Sequence, residues 1–139
     1  MNRVRARARS AAAGAAAATL WGLLEPIDQR LFRYAYSDVE LLGTLVTRGR
    51  ARRPIGFALH AANGALFGLA YHELKRRRGW SALQLALLEH VALYPLSALV
   101  DSRHPARGSP QLPPLLRPRP FAQATLRHAV FGAVLGRLA

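Results

Sequence analysis

The cations of this chain come in blocks, and their placement constrains the fold more than any motif does. Arg3 to Arg9, Arg48 to Arg53, Lys75 to Arg78 and Arg103 to Arg119 hold most of them, and the stretches between hold few. Basic segments that bracket apolar ones are the pattern of loops flanking membrane helices. With 20 Lys and Arg against 7 Asp and Glu, the chain carries a formal net charge of +13 and attracts polyanions, either nucleic acid or an anionic membrane surface. A groove binder would interleave its cations with aromatic residues along one element. Here the cations flank instead, so the lipid bilayer is the expected partner and nucleic acid the outsider.

The 139 residues make one domain's worth of chain, 1–139. The expected fold is all-α: an integral membrane four-helix bundle with helices at about 10–25, 55–73, 80–100 and 121–138. Such a protein would be multi-pass in the inner (plasma) membrane. The first apolar run, Ser10 to Leu24, is 15 residues long, short beside the roughly 20 that a bilayer core asks for. Arginines snorkelling from its flank would extend it, and Pro26 is expected to end it. Its basic start and Ala-x-Ala patterns also outline a signal peptide, whose cleavage would leave a chain beginning near Ala18. From Ile27 to Val46 apolar and charged residues mix, which reads as an amphipathic interfacial segment with Tyr34 and Tyr36 at headgroup level. Pro54 precedes the second helix and Trp80 opens the third. Asp101 to Pro120 holds six prolines and a glycine, hence an irregular loop. An N-terminus on the cytoplasmic side puts Lys75 to Arg78 there too, but sends the other two blocks outside, so charge favours that orientation only weakly. A helical bundle buried in water is the competing architecture.

One pattern exceeds composition. His60-Ala61-Ala62-Asn63-Gly64-Ala65-Leu66-Phe67-Gly68 and His128-Ala129-Val130-Phe131-Gly132-Ala133-Val134-Leu135-Gly136 both spell His-Ala-x-x-Gly-Ala-x-x-Gly. Leu23-Leu24-Glu25 and Leu87-Leu88-Glu89 add a shorter echo. The expectation is two tandem helical hairpins, about 10–78 and 80–139, related as a parallel repeat. In each copy the histidine and the glycines share one helix face. Gly64, Gly68, Gly132 and Gly136 would let a neighbouring backbone approach closely; the sharper alternative is that they make room for a flat ligand beside the histidine.

Glu25, His60, Asn63, Glu89, His90, Arg127 and His128 fall within or at the ends of apolar segments. Polar groups at membrane depth are costly and commonly face the bundle interior. A carboxylate from the first helix of each hairpin could meet a histidine from the second, or Glu89 could satisfy Arg127. His72 and His104 read as ordinary surface residues. The chain has no cysteine, which removes disulfides, thiolate metal sites and thiol nucleophiles. It also lacks His-Glu-x-x-His, Cys-x-x-Cys-His, phosphate-loop and Gly-x-Ser-x-Gly motifs. No catalytic residue and no cofactor is therefore expected; haem or a metal ion held by histidines and carboxylates is the alternative.

His60 through Tyr71, His90-x4-Pro95-Leu96 and the His128 region together resemble the small bacterial inner-membrane proteins of the YagU-like kind. The resemblance covers about half of the chain and implies an inner-membrane location and a helical bundle. It carries no chemistry and no site residue with it. The expected function is a non-enzymatic, structural or accessory membrane component that self-associates or joins another membrane protein. Proton or small-solute translocation through the Glu and His cluster is the second expectation.

Overall fold

The computed structural model describes residues 3–110 and 112–139, and every regular element among them is helical. In chain order these are α1 (Arg3–Phe32), α2 (Asp38–Val46), α3 (Arg52–Arg78), α4 (Ala82–Leu93), a 3-10 turn at Tyr94–Leu96, α5 (Ser97–Arg103) and α6 (Pro118–Leu138). One helical stretch, Ala82–Arg103 taken across the 3-10 turn, is long and apolar enough to cross a membrane, and most of it is exposed within the fold. The other long helices are interrupted by the charged and polar residues described below.

Helix boundaries follow from capping chemistry. Ser37 caps α2, its hydroxyl accepting from the Glu40 amide. Ser81 and Gln84 form a reciprocal capping box at the start of α4. Gly79 ends α3 in the left-handed region at φ 68°, after a last turn of Lys75 to Arg78 that complements the helix dipole. Pro54 lies in the first turn of α3, and Pro118 and Pro120 in that of α6, where a missing amide costs little. Both helices therefore begin three residues earlier than expected. Pro95 divides the expected third helix at the 3-10 turn.

Pro26 behaves differently. It sits inside α1, which continues to Phe32 rather than ending there. An interior proline costs about 3 kcal/mol; the turn beyond it is held by the buried ion pairs of Asp28 and Glu25, described in the next subsection. The expected interfacial segment is likewise folded inward. α2 lies on α3, Val39 is fully buried, and Tyr36 is buried rather than at the surface.

α1 packs against both α3 and α6, and α4 packs on α6, while α3 and α4 scarcely touch although a short turn joins them. The α1–α3 crossing is close because side chains are absent from it. A β-carbon on Gly14 or Gly64 would land on the other's carbonyl oxygen, and one on Gly68 would land on that of Ser10. Gly132 packs on the backbone of α4 at Leu83, but a β-carbon at Gly136 would meet Ala82 only at an ordinary 3.5 Å. The interior is thus built largely from alanine and glycine around Trp21, Tyr71, Phe131 and Leu135. Leu23, Ile27, Leu31 and Leu66 point outward.

The basic blocks gather at two ends. Arg7 pairs with Glu73 at 3.3 Å, and Arg9 Nε donates to the Leu138 carbonyl at 2.9 Å, which joins the N-terminal block to the end of α3 and the C-terminus. At the other end Arg48 Nη2 donates to the Pro105 carbonyl at 3.1 Å, joining the α2–α3 junction to the proline-rich loop.

Replacing Gly64 with valine forces the α1–α3 backbones apart and should lower stability by about 1–3 kcal/mol or more. Gly136→Ala should change it by less than about 0.5 kcal/mol. Unfolding midpoints by circular dichroism check both; equal effects would refute the close-approach role of Gly64.

Candidate functional site

A single guanidinium organises the interior. Arg127 on α6 is buried and forms a two-pronged pair with Asp28 of α1, Nε to Oδ2 at 2.5 Å and Nη2 to Oδ1 at 2.6 Å. Its Nη1 donates to Asp38 Oδ2 at 2.7 Å and its Nη2 to the Tyr36 carbonyl at 2.9 Å, while the Tyr36 ring lies 4.9 Å from the guanidinium carbon. Gln123, one turn earlier on α6 and fully buried, donates to Asp28 Oδ1 at 2.7 Å. Burial favours the neutral form of Asp38, but the Arg127 guanidinium overrides it and holds the carboxyl below the usual range. Burial, with Asp38 beside it, pushes the Tyr36 phenol well above its ordinary value.

Glu25 completes this cluster from the other side. It accepts from the Ser37 hydroxyl at 2.5 Å and from the amides of Asp38 and Val39 at 2.7 and 3.2 Å, with Arg127 Nη1 at 3.8 Å. These amides open α2, so the carboxylate sits at the positive end of that helix. It does not meet His60.

The second cluster is more open. His128 Nδ1 faces the Ala124 carbonyl at 2.7 Å and so donates to it, and Nε2 lies 3.2 Å from Glu89 Oε2. Glu89 therefore serves His128 and not Arg127. Trp21 stands edge-on to both repeat histidines, with centroids 5.1 Å from His60 and 4.8 Å from His128. His90, whose Nε2 lies 3.0 Å from Thr125 Oγ1, stacks 4.7 Å from His128. A cavity of about 160 Å³ is bounded by Trp21, His60, Asn63, Phe67, Glu89 and His128, among others. Another, of about 130 Å³, lies against His90, Tyr94 and Tyr36, and His128 lines it too. One imidazole is thus a shared wall between two cavities.

The interior accordingly divides the seven residues singled out in the sequence. Arg127 and Glu25 belong to the closed ion-pair cluster; His60, Glu89, His128 and His90 to the aromatic one; and Asn63 is exposed at the cavity rim. The α1 backbone closes on Gly64 and Gly68 and the α4 backbone on Gly132, and Gly64 also lines the cavity of about 160 Å³ beside His60. Sequence reasoning missed Asp28, Asp38, Gln123, Trp21 and Gly14. The available signal was the Ser37-x-x-Glu40 capping pattern, which places Asp38 on a helix rather than at a surface.

Neither His72 nor His104 is an ordinary surface residue. His72 Nδ1 is 3.5 Å from Ser10 Oγ. His104 is buried, its Nε2 donating to the Leu41 carbonyl at 3.1 Å while Nδ1 accepts from the Ala106 amide at 3.0 Å. That pair of bonds requires the neutral ring, and burial lowers its basicity, only partly offset by the Leu41 carbonyl.

Among the described residues no group of three or more His, Cys, Asp or Glu side chains is disposed to hold a metal ion. No protein-family model matches the chain, and neither a curated protein nor a solved structure matches it.

Arg127→Leu leaves two buried carboxylates without their partner and should cost roughly 3–5 kcal/mol. Arg127→Lys should cost less, since it keeps the charge but not the two-pronged geometry. Unfolding midpoints of both variants measure this, and a neutral Arg127→Leu would remove the organising role. For His104 the folded state holds a proton less readily than the unfolded chain. Its anchor is at full strength above about pH 6.5 and weakens as pH falls below it. Hydrogen exchange at the Ala106 amide, corrected for intrinsic rate, should lose protection between pH 7.5 and 5, and constant protection would refute the anchor.

Proposed function

We propose that this chain is a multi-pass protein of the inner membrane, working as a structural or accessory component without chemistry of its own. The observation that carries it is an inverted distribution of residues. Glu25, Asp28, Arg127 and Gln123 are buried in the interior, while Leu23, Ile27, Leu31 and Leu66 are 61–69% exposed on the two longest helices. Soluble monomers rarely present large contiguous apolar patches, whereas lipid-facing helices do so along their length. α1 and α3, at 30 and 27 residues, are each long enough for the roughly 30 Å hydrocarbon core. Basic residues at both ends of the bundle fit headgroup contact on either side and explain why the positive-inside rule does not orient it. The proposed tandem duplication is supported by a shared arrangement: Gly64 and Gly68 of α3 pack on α1, Gly132 of α6 packs on α4, and both repeat histidines meet Trp21. The resemblance to YagU-like proteins agrees in location and offers no chemistry.

A second reading rests on a separate observation, the placement of His128 between two cavities with Glu89 on its Nε2. A titratable pair at such a divide could pass a proton or a small solute in steps.

Alkaline carbonate washing of membranes that contain the full chain decides the first reading. The protein should remain in the pellet; release into the supernatant would end the membrane reading and make nucleic-acid binding the next assay. For the second, proteoliposomes bearing the wild type should acidify under a potassium-diffusion potential several-fold faster than those bearing Glu89→Gln. Equal rates would leave only the structural role.

A further inference from the structure

We propose that a cavity at the end of the molecule formed by the α2–α3 junction and the loop before α6 binds a phosphate group, gripped by Arg48, Arg52 and Arg107. The cavity measures about 200 Å³, far above the roughly 10–15 Å³ that a single water needs. Its lining brings these three arginines together with the hydroxyl-bearing Ser109 and with Glu40. Two segments distant in sequence supply the cations: the α2–α3 junction, with Arg48 and the first residue of α3, and the proline-rich loop with Arg107.

Glu40 is the one anion in the lining, and it is already engaged. Arg52 pairs with it directly, and Arg53, from outside the cavity, approaches its Oε1 at 3.9 Å. Arg48 reaches across to the Pro105 carbonyl with one Nη2 hydrogen, and its other guanidinium hydrogens are uncommitted to any carboxylate. Among the described residues neither Arg48 nor Arg107 has a carboxylate within ion-pair distance. The lining therefore carries an excess of positive charge on planar, multidentate donors, the geometry that suits a phosphate's oxygens. The loop that brings Arg107 in is fixed from behind by His104, held between Leu41 and Ala106, and by Asp101, which accepts from the amides of Leu115 and Leu116 at 2.7 and 2.9 Å. The backbone that carries Arg107 is thereby held in place before a ligand arrives, with the Arg48 and Arg107 side chains exposed to meet it.

A phosphate group reaches such a cavity either on a phospholipid headgroup or as a free anion. The headgroup source rests on the membrane reading above; the phosphate chemistry does not. Two probes separate them, used on the full chain purified in detergent: inorganic phosphate by titration calorimetry, and phosphatidylglycerol against phosphatidylcholine by phosphorus NMR after gel filtration. Arg48→Gln and Arg107→Gln should each weaken binding about tenfold, the effect expected of one charge-assisted hydrogen bond. Arg76→Gln, at the opposite end of the molecule, should leave it unchanged. Variant-sensitive retention of phosphatidylglycerol alone assigns a headgroup site. Variant-sensitive binding of inorganic phosphate alone assigns a site for a soluble anion. Binding that Arg76→Gln weakens as much as Arg107→Gln reflects diffuse charge and overturns the proposal, as does no binding of either probe. Carbonate resistance of the same variants, scored separately, keeps failure of this site distinct from failure of the membrane reading.

Discussion

The guanidinium of Arg127 is the point on which the arrangement of helices depends. It takes its hydrogen-bond acceptors from α1, from the turn after it and from the start of α2, while itself standing on α6. A buried arginine with its donors engaged by carboxylates and a carbonyl cannot be shifted along its helix without stranding charge in a low-dielectric interior. The register of α6 on α1 follows from that, and so does the persistence of α1 past Pro26. The turn that Pro26 would be expected to unravel carries Asp28, and the loss of a single backbone hydrogen bond is smaller than the loss of that partner. Glu25, three residues before Asp28 on the same helix, turns to the start of α2 and fixes the chain's re-entry there.

This dependence explains what could and could not be read from the residues alone. Helical class and the approximate position of each apolar segment were legible because they rest on local composition and spacing. The glycine face of α3 was legible for the same reason. Its partner Gly14 was not, since it lies in a run of alanines where no single position stands out. Arg127, Glu25, Glu89 and His128 were all identifiable as polar residues in apolar surroundings. The expected carboxylate–histidine meeting holds for Glu89 with His128, whereas Glu25 turns to α2 instead of His60 and Arg127 takes Asp28 and Asp38. The segment from Ile27 to Val46 looked amphipathic, so Asp28 and Asp38 were placed at a surface, and Glu89 was left as the nearest acid for Arg127. Local pattern assigns a residue to a face; it does not say which other segment will cover that face. Pro26 compounded the error, because its local cost is visible in sequence and the ion pair offsetting it is not.

The two polar clusters differ in kind although they share α1 and α6. Around Arg127 the guanidinium is engaged by two carboxylates and a carbonyl, with Gln123 Oε1 left unpaired, and such a cluster is suited to fixing one arrangement of helices. The Glu89–His128 pair is partly exposed, with side chains 33% and 18% accessible, and it lines the cavity of about 160 Å³ while Trp21 and His90 pack against His128. Groups that are both titratable and reachable can exchange protons or meet a ligand; groups locked in a saturated cluster cannot without unfolding it. The aromatic cluster is thus the one bordered by open space, while the Arg127 cluster ties α6 to α1 and α2.

The composition of the interior bears on the medium as well. A core of alanine and glycine buries little apolar area per residue, and area is what drives association in water. Close backbone contact and internal hydrogen bonding contribute more, and these are the terms that remain when the solvent is itself hydrocarbon. Gly14 against Gly64, Gly68 against Ser10, and Arg127 against its carboxylates are interactions of that kind. Leu23, Leu31 and Leu66, which a water-driven core would bury, are instead on the outside. On the membrane location proposed above, a chain assembled in this way meets a solvent that rewards packing and polar pairing, and in which outward leucine carries no penalty.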